Sequence, residues 1–86
     1  MRTSHLDLAW RLNPMGHPRL AVVVPRFQFT AVARNRLRRR VKEILRRDVL
    51  PTLPAVDLVV RAKRAAYAVS FAVLRANVID LVSRVT

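Results

Sequence analysis

The chain has 86 residues, with 17 Lys and Arg against 5 Asp and Glu, for a formal charge of +12. At that length it builds one domain, residues 1–86, with a core near the lower limit for folding alone, and its 52% hydrophobic content excludes a disordered tail. Cysteine is absent, which excludes disulfides and thiolate metal sites and fits a reducing, cytoplasmic setting. Fifteen of the seventeen basic residues are Arg, whose planar fork grips phosphate in bidentate fashion and stacks on bases. A surplus this large repels itself within a small fold and favours a polyanionic partner. The apolar stretches fall far short of the ~20 residues that span a bilayer, and the start, Met-Arg-Thr-Ser-His-Leu-Asp, lacks the apolar run of a signal peptide. Nucleic acid is therefore the expected partner, and a membrane is not.

Residues 5–11 alternate, with Leu6, Leu8 and Trp10 on one face and His5, Asp7, Ala9 and Arg11 on the other, the period of a half-buried strand. Turn formers fill positions 13–18. Arg19 to Val24 is rich in β-branched residues and closed by Pro25, which predicts a second, antiparallel strand. Arg26-Phe27-Gln28-Phe29 is a connector, and Thr30 is placed to cap a helix.

From about Ala31 to Arg47 the period becomes helical. Leu37, Val41, Ile44 and Leu45 form a narrow apolar stripe, while Arg36, Arg38, Arg39, Lys42, Arg46 and Arg47, with Asn35 among them, cover the rest of the circumference. Pro51 and Pro54 mark an irregular link. Val56 to Ala62 is a short apolar run suited to an interior strand. Ser70 is placed to cap a last helix with a stripe of Phe71, Leu74, Val78, Leu81, Val82 and Val85. The order β-β-α-β-α predicts an α+β fold, one layer of sheet carrying helices.

Between positions 34 and 47, eight of fourteen residues are basic and only Glu43 is acidic. Like charges at i and i+4, such as Arg34, Arg38 and Lys42, destabilise an isolated helix. Keeping them all points to joint use against a phosphate backbone rather than to an ordinary solvated face. The stretch from Thr30 to Arg46 resembles the signature helix of the bacterial ribonuclease P protein family: Arg34, Asn35 and Arg36 match its Arg-Asn-Arg triplet, Arg38 and Arg39 its basic pair, and Lys42 and Glu43 the later basic–acidic pair. Asp57 to Lys63 resembles the family's last strand, Ser70-Phe71 with Leu74 the start of its last helix, and Arg19 to Val24 its middle strand.

The resemblance implies a left-handed crossover through the arginine helix. It also implies a protein that binds a large catalytic RNA and assists binding of precursor tRNA for removal of the 5′ leader. The signature helix would face the catalytic RNA, and a cleft on the sheet would receive the leader. The RNA would carry the active site and its Mg2+; the protein would supply no catalytic residue and bind no cofactor alone. The residues expected to contact RNA are Arg34, Asn35, Arg36, Arg38, Arg39, Arg40, Lys42 and Arg46, with Arg26 and Arg19, and Phe27 and Phe29 as candidates for base stacking.

The sequence departs from the family in two places. Where the family has two basic residues and a glycine before the triplet, this chain has Arg26-Phe27 and Phe29, and the family's N-terminal helix with its aromatic residues has no counterpart before His5. Trp10 is expected to pack in the core or at the cleft edge, and Tyr67 is assigned no role. His5, Asp7 and His17 lack a fourth ligand, the remaining Asp residues are scattered, and neither a phosphate-binding glycine loop nor a nucleophile elbow is present. Two rival readings use the same helix. One is a structural, ribosome-associated RNA-binding module; the other is a DNA-binding domain, disfavoured because the helix lacks a pattern of short polar base readers.

Overall fold

A computed structural model describes residues 1–84. Strands β1 (Leu6–Leu12), β2 (Arg19–Val23) and β3 (Val56–Ala62) form one sheet, and helices α1 (Ala31–Ile44) and α2 (Phe71–Ser83) complete the predicted β-β-α-β-α order. Both predicted caps are in place. Thr30 Oγ1 accepts from the Ala33 N–H at 3.1 Å and Ser70 Oγ from the Val73 N–H at 3.3 Å, each satisfying a backbone donor that the first helical turn leaves unpaired.

The strand order is β1-β3-β2, with β3 antiparallel to β1 and parallel to β2. Its predicted interior place is therefore correct. β1 and β2 do run in opposite directions, as expected of a second antiparallel strand, but β3 separates them and they do not pair. The connection between them arches over the start of β3. The Asn13 N–H donates to the Ala55 carbonyl at 3.1 Å, and Asn13 Nδ2 reaches the His17 carbonyl at 3.1 Å and Asp57 Oδ1 at 3.0 Å. Gly16 takes φ 78° in this arch, a left-handed conformation that glycine adopts without penalty. The parallel partner of β3 requires a long crossover, which α1 supplies.

Alternation along β3 buries Val56, Leu58, Val60 and Ala62, and register places Leu6 and Leu8 of β1 on the same side. Against this face pack Leu37, Val41 and Ile44 of α1, Leu45 beyond it, and Leu74, Val78, Leu81 and Val82 of α2. After Ile44 the chain continues through a π-helical turn, Leu45–Val49, and a 3-10 turn, Leu50–Thr52, so the helix predicted to Arg47 changes pitch before its end. Trp10 shares the face of Leu6 and Leu8 and lies at the cleft edge, 42% exposed, one of the two places expected for it. One stripe assignment differs: Phe71, the first residue of α2, is 40% exposed because the packed layer begins one turn later at Leu74. Val85 lies outside the described residues.

The other sheet face is uncovered. At its end Asp57 binds three partners: Arg19 through Nε at 2.7 Å and Nη2 at 2.8 Å, Arg11 Nε at 3.2 Å, and Asn13 Nδ2 at 3.0 Å. The Arg19 hydrogen bonds, aided by those from Arg11 and Asn13, hold the Asp57 carboxyl well below the usual carboxylate range against the opposing effect of burial. A depressed native pKa stabilises the fold above the unfolded value of 3.8, and that contribution is lost as pH falls toward the native value. Melting temperature is therefore expected to decline below about pH 4. Asp57→Asn should be less stable at neutral pH and show a flatter acid limb; an acid limb identical to that of the unaltered chain would contradict this role for the carboxylate.

Candidate nucleic-acid interface

The stripe Leu37, Val41 and Ile44 fixes the orientation of α1, and the 100° step per residue then places every other side chain. Asn35, Arg36, Arg38, Arg39, Arg40 and Lys42 are all exposed. Arg36, Arg38, Arg39, Arg40 and Lys42 form no ion pair with any described residue. Two grooves run between them and share Arg39: Asn35, Arg38, Arg39 and Lys42 line one, Val32, Arg36, Arg39 and Arg40 the other. A continuous cationic surface with grooves between guanidinium groups suits phosphates spaced along a backbone.

The remaining predicted contacts are partly engaged inside the protein. Arg34 sits beside the apolar stripe, and its Nε donates to the carbonyl of buried Val24 at 2.8 Å, tying α1 to the end of β2. Arg46 Nη2 meets both oxygens of Glu43, at 3.0 and 3.1 Å. Arg19 is held by Asp57, as described, and the Arg26 Nε contacts the Phe29 carbonyl at 3.4 Å. These four carry charge to the surface, but not as free forks.

Phe27 and Phe29, candidates for base stacking, both contact Tyr67. Phe29 stacks on it with centroids 4.0 Å apart and planes 2° from parallel, and Phe27 meets it edge-on at 6.5 Å. The Tyr67 hydroxyl donates to the Pro25 carbonyl at 2.6 Å. This clamp holds a connector in which Phe27 (φ 48°) and Gln28 (φ 73°) are left-handed without glycine, at a cost of order 1 kcal/mol each. Sequence reasoning gave Tyr67 no role, and no local signal could have, because its partners lie some forty residues earlier in the chain.

On the uncovered sheet face, Ala9, Ala21 and Val59 lie in a cleft of about 390 Å³, with Arg11, Asp57 and Arg19 at one end. No three His, Asp or Glu residues come together among the described residues.

The family model described as Ribonuclease P matches residues 1–86. The chain belongs to the ribonuclease P protein family. It is 43% identical over 69 residues to the ribonuclease P protein component of Aliivibrio fischeri, a match covering 79% of this chain and 58% of that relative, and 37% identical over 68 residues to that of Syntrophobacter fumaroxidans, covering 77% and 56%. The chain thus spans less than two thirds of these relatives' length. The RNase P protein of Thermotoga maritima superposes with a TM-score of 0.86 at 30% identity, covering 98% of this chain and 80% of that one. The Staphylococcus aureus RNase P protein, at 21% identity and a TM-score of 0.83, shares the fold.

The two kinds of arginine on α1 are expected to separate by mutation. Arg34→Ala should cost ~1–2 kcal/mol of stability, because it leaves the Val24 carbonyl unpaired. Arg36→Ala should leave the fold intact and weaken RNA binding. Equal melting temperatures for the two variants would contradict the anchoring role of Arg34.

Proposed function

We propose that this chain is the protein subunit of a ribonuclease P, binding the catalytic RNA through the exposed face of α1 and assisting precursor-tRNA binding for removal of the 5′ leader. The observation that carries this reading is the row of cations on the family's signature helix, Arg36, Arg38, Arg39, Arg40 and Lys42, which have no ion-pair partner among the described residues. The uncovered sheet cleft supports leader binding: its small apolar floor admits an extended strand, and Arg11 and Arg19 supply positive charge at one end.

Catalysis is assigned to the RNA, and the donor set of the protein supports that. Asp57, the carboxylate nearest the cleft, is bound by two guanidinium groups and an amide, and the described carboxylates are not gathered into a metal site. In this reading Mg2+ belongs with the RNA, where it would supply an activated water for phosphodiester hydrolysis. The protein residues contribute binding, orientation and charge compensation, and the setting is taken to be cytoplasmic.

Adding the purified chain to a catalytic ribonuclease P RNA at low magnesium tests this reading. Precursor-tRNA cleavage is expected to rise. RNA binding without any gain in cleavage would instead favour a structural RNA-binding module.

A further inference from the structure

Ala33, Arg36 and Arg40 lie at helical spacing on the flank of α1 that faces Phe29 and Tyr67 across a cleft of about 220 Å³. Arg64 stands above it, with its Cζ 5.9 Å from the centroid of the Phe29 ring. Resting on the proposed RNA-binding role of α1, we propose that this cleft takes one unpaired nucleotide of the RNA partner, its base stacked on Phe29 beneath the Arg64 guanidinium and its phosphate held by Arg36 and Arg40.

Three features carry the proposal. Phe29 is rigid: Tyr67 stacks against it, and the hydroxyl of Tyr67 is fixed on the Pro25 carbonyl at 2.6 Å, so the ring pair is a platform rather than a mobile side chain. The spacing fits an aromatic guest. Bases stack about 3.4 Å apart, so a ring–base–guanidinium sandwich needs ~6.8 Å. The exposed Arg64 side chain must lift by only about 1 Å from its present 5.9 Å to admit one. The charge arrangement is costly unless it is used. Arg36 and Arg40 line the cleft and Arg64 lies over the Phe29 ring at its border, all three without an ion-pair partner among the described residues, and like charges held together destabilise the free protein. Internal packing accounts for Phe27, Phe29 and Tyr67, but it does not account for three guanidinium groups around them. Base stacking on the Phe29–Tyr67 platform, cation–π attraction to the base and phosphate contacts account for the three guanidinium groups as well.

The probes are pentariboadenylate and a pentamer of the same charge whose sugars carry no base. Tyr67 is the only tyrosine, so its ring resonances report on the cleft without ambiguity. Pentariboadenylate should shift the Tyr67 and Phe29 ring signals, and the baseless pentamer should not. Phe29→Leu keeps an apolar side chain against Tyr67 but removes the platform; it should weaken pentariboadenylate binding about fivefold or more and leave the baseless pentamer unaffected, with circular dichroism showing that the variant is folded. Arg64→Lys keeps the charge but not the flat guanidinium and should have the same selective effect. Equal affinity of the unaltered chain for both pentamers, or an equal loss for both in the variants, overturns the nucleotide cleft while leaving the helix face standing. Failure of both pentamers to bind overturns the two readings together.

Discussion

Affinity for a ribonuclease P RNA is expected to fall about 10³–10⁵-fold between 50 and 200 mM monovalent salt. Each phosphate neutralised releases condensed counterions, and ~6–10 contacts give that range by analogy with duplex binding. The structure supplies the contacts. Five cations on α1 have no ion pair with a described residue, Arg64 lies beside the helix with an exposed side chain, and Arg26 and Arg47 add exposed charge through looser contacts to the Phe29 carbonyl and Glu43. Arg19, Arg34 and Arg46 are already engaged by Asp57, the Val24 carbonyl and Glu43, and they are expected to add less. Binding titrations across that salt range check the slope. A nearly flat response would contradict an electrostatic interface.

The second large effect concerns Arg36, Arg39 and Arg40 changed together to Ala. These three line one groove of α1 with Val32 and make no ion pair with a described residue, so their removal exposes no buried partner. If each makes a charge-assisted contact, affinity should drop by ~3 kcal/mol or more, a hundredfold at least. The salt slope should fall by roughly two to three units in the same variant, since each lost phosphate contact removes 0.7–0.9. Stability should stay the same or rise by tenths of a kcal/mol, because Arg36 repels Arg39 and Arg40 at helical spacing. Circular dichroism and RNA titration separate the outcomes. Unfolding of the triple variant with unchanged affinity in the folded fraction would make these residues structural.

Where local periodicity decides, the sequence reads correctly. Leu37, Val41, Ile44 and Leu45 give α1 its orientation and hence its exposed cationic face, and the alternation from Val56 to Ala62 marks the strand that lies at the centre of the sheet. Thr30 and Ser70 are legible as caps because capping acts over three residues. What the sequence hides is set by distant partners. The strand order rests on β3 pairing with both β1 and β2, and Asn13 bridging to Ala55 and Asp57 joins segments that carry no shared local signal. Arg34 belongs to the family's triplet, yet half its role is to hold the end of β2, which becomes visible only when Val24 is seen beside it. Tyr67 has no periodic neighbour in sequence and nonetheless organises Pro25, Phe27 and Phe29. The left-handed residues of that connector, Phe27 and Gln28, are equally hidden, because the Phe27 and Phe29 rings that flank Gln28 are held by Tyr67.

The central claim is that the exposed face of α1 meets the RNA. The chain contains no cysteine, so a single introduced thiol can carry a tethered iron chelate that cuts RNA locally through hydroxyl radicals. Val32 is 67% exposed beside Arg36, Arg39 and Arg40, and Ile79 is 38% exposed on α2; replacing either leaves every arginine in place. In complex with a ribonuclease P RNA, chelate at Val32→Cys should produce strong, discrete strand cuts, and chelate at Ile79→Cys weak or none. Strong cuts from position 79 with none from position 32 would contradict the claim.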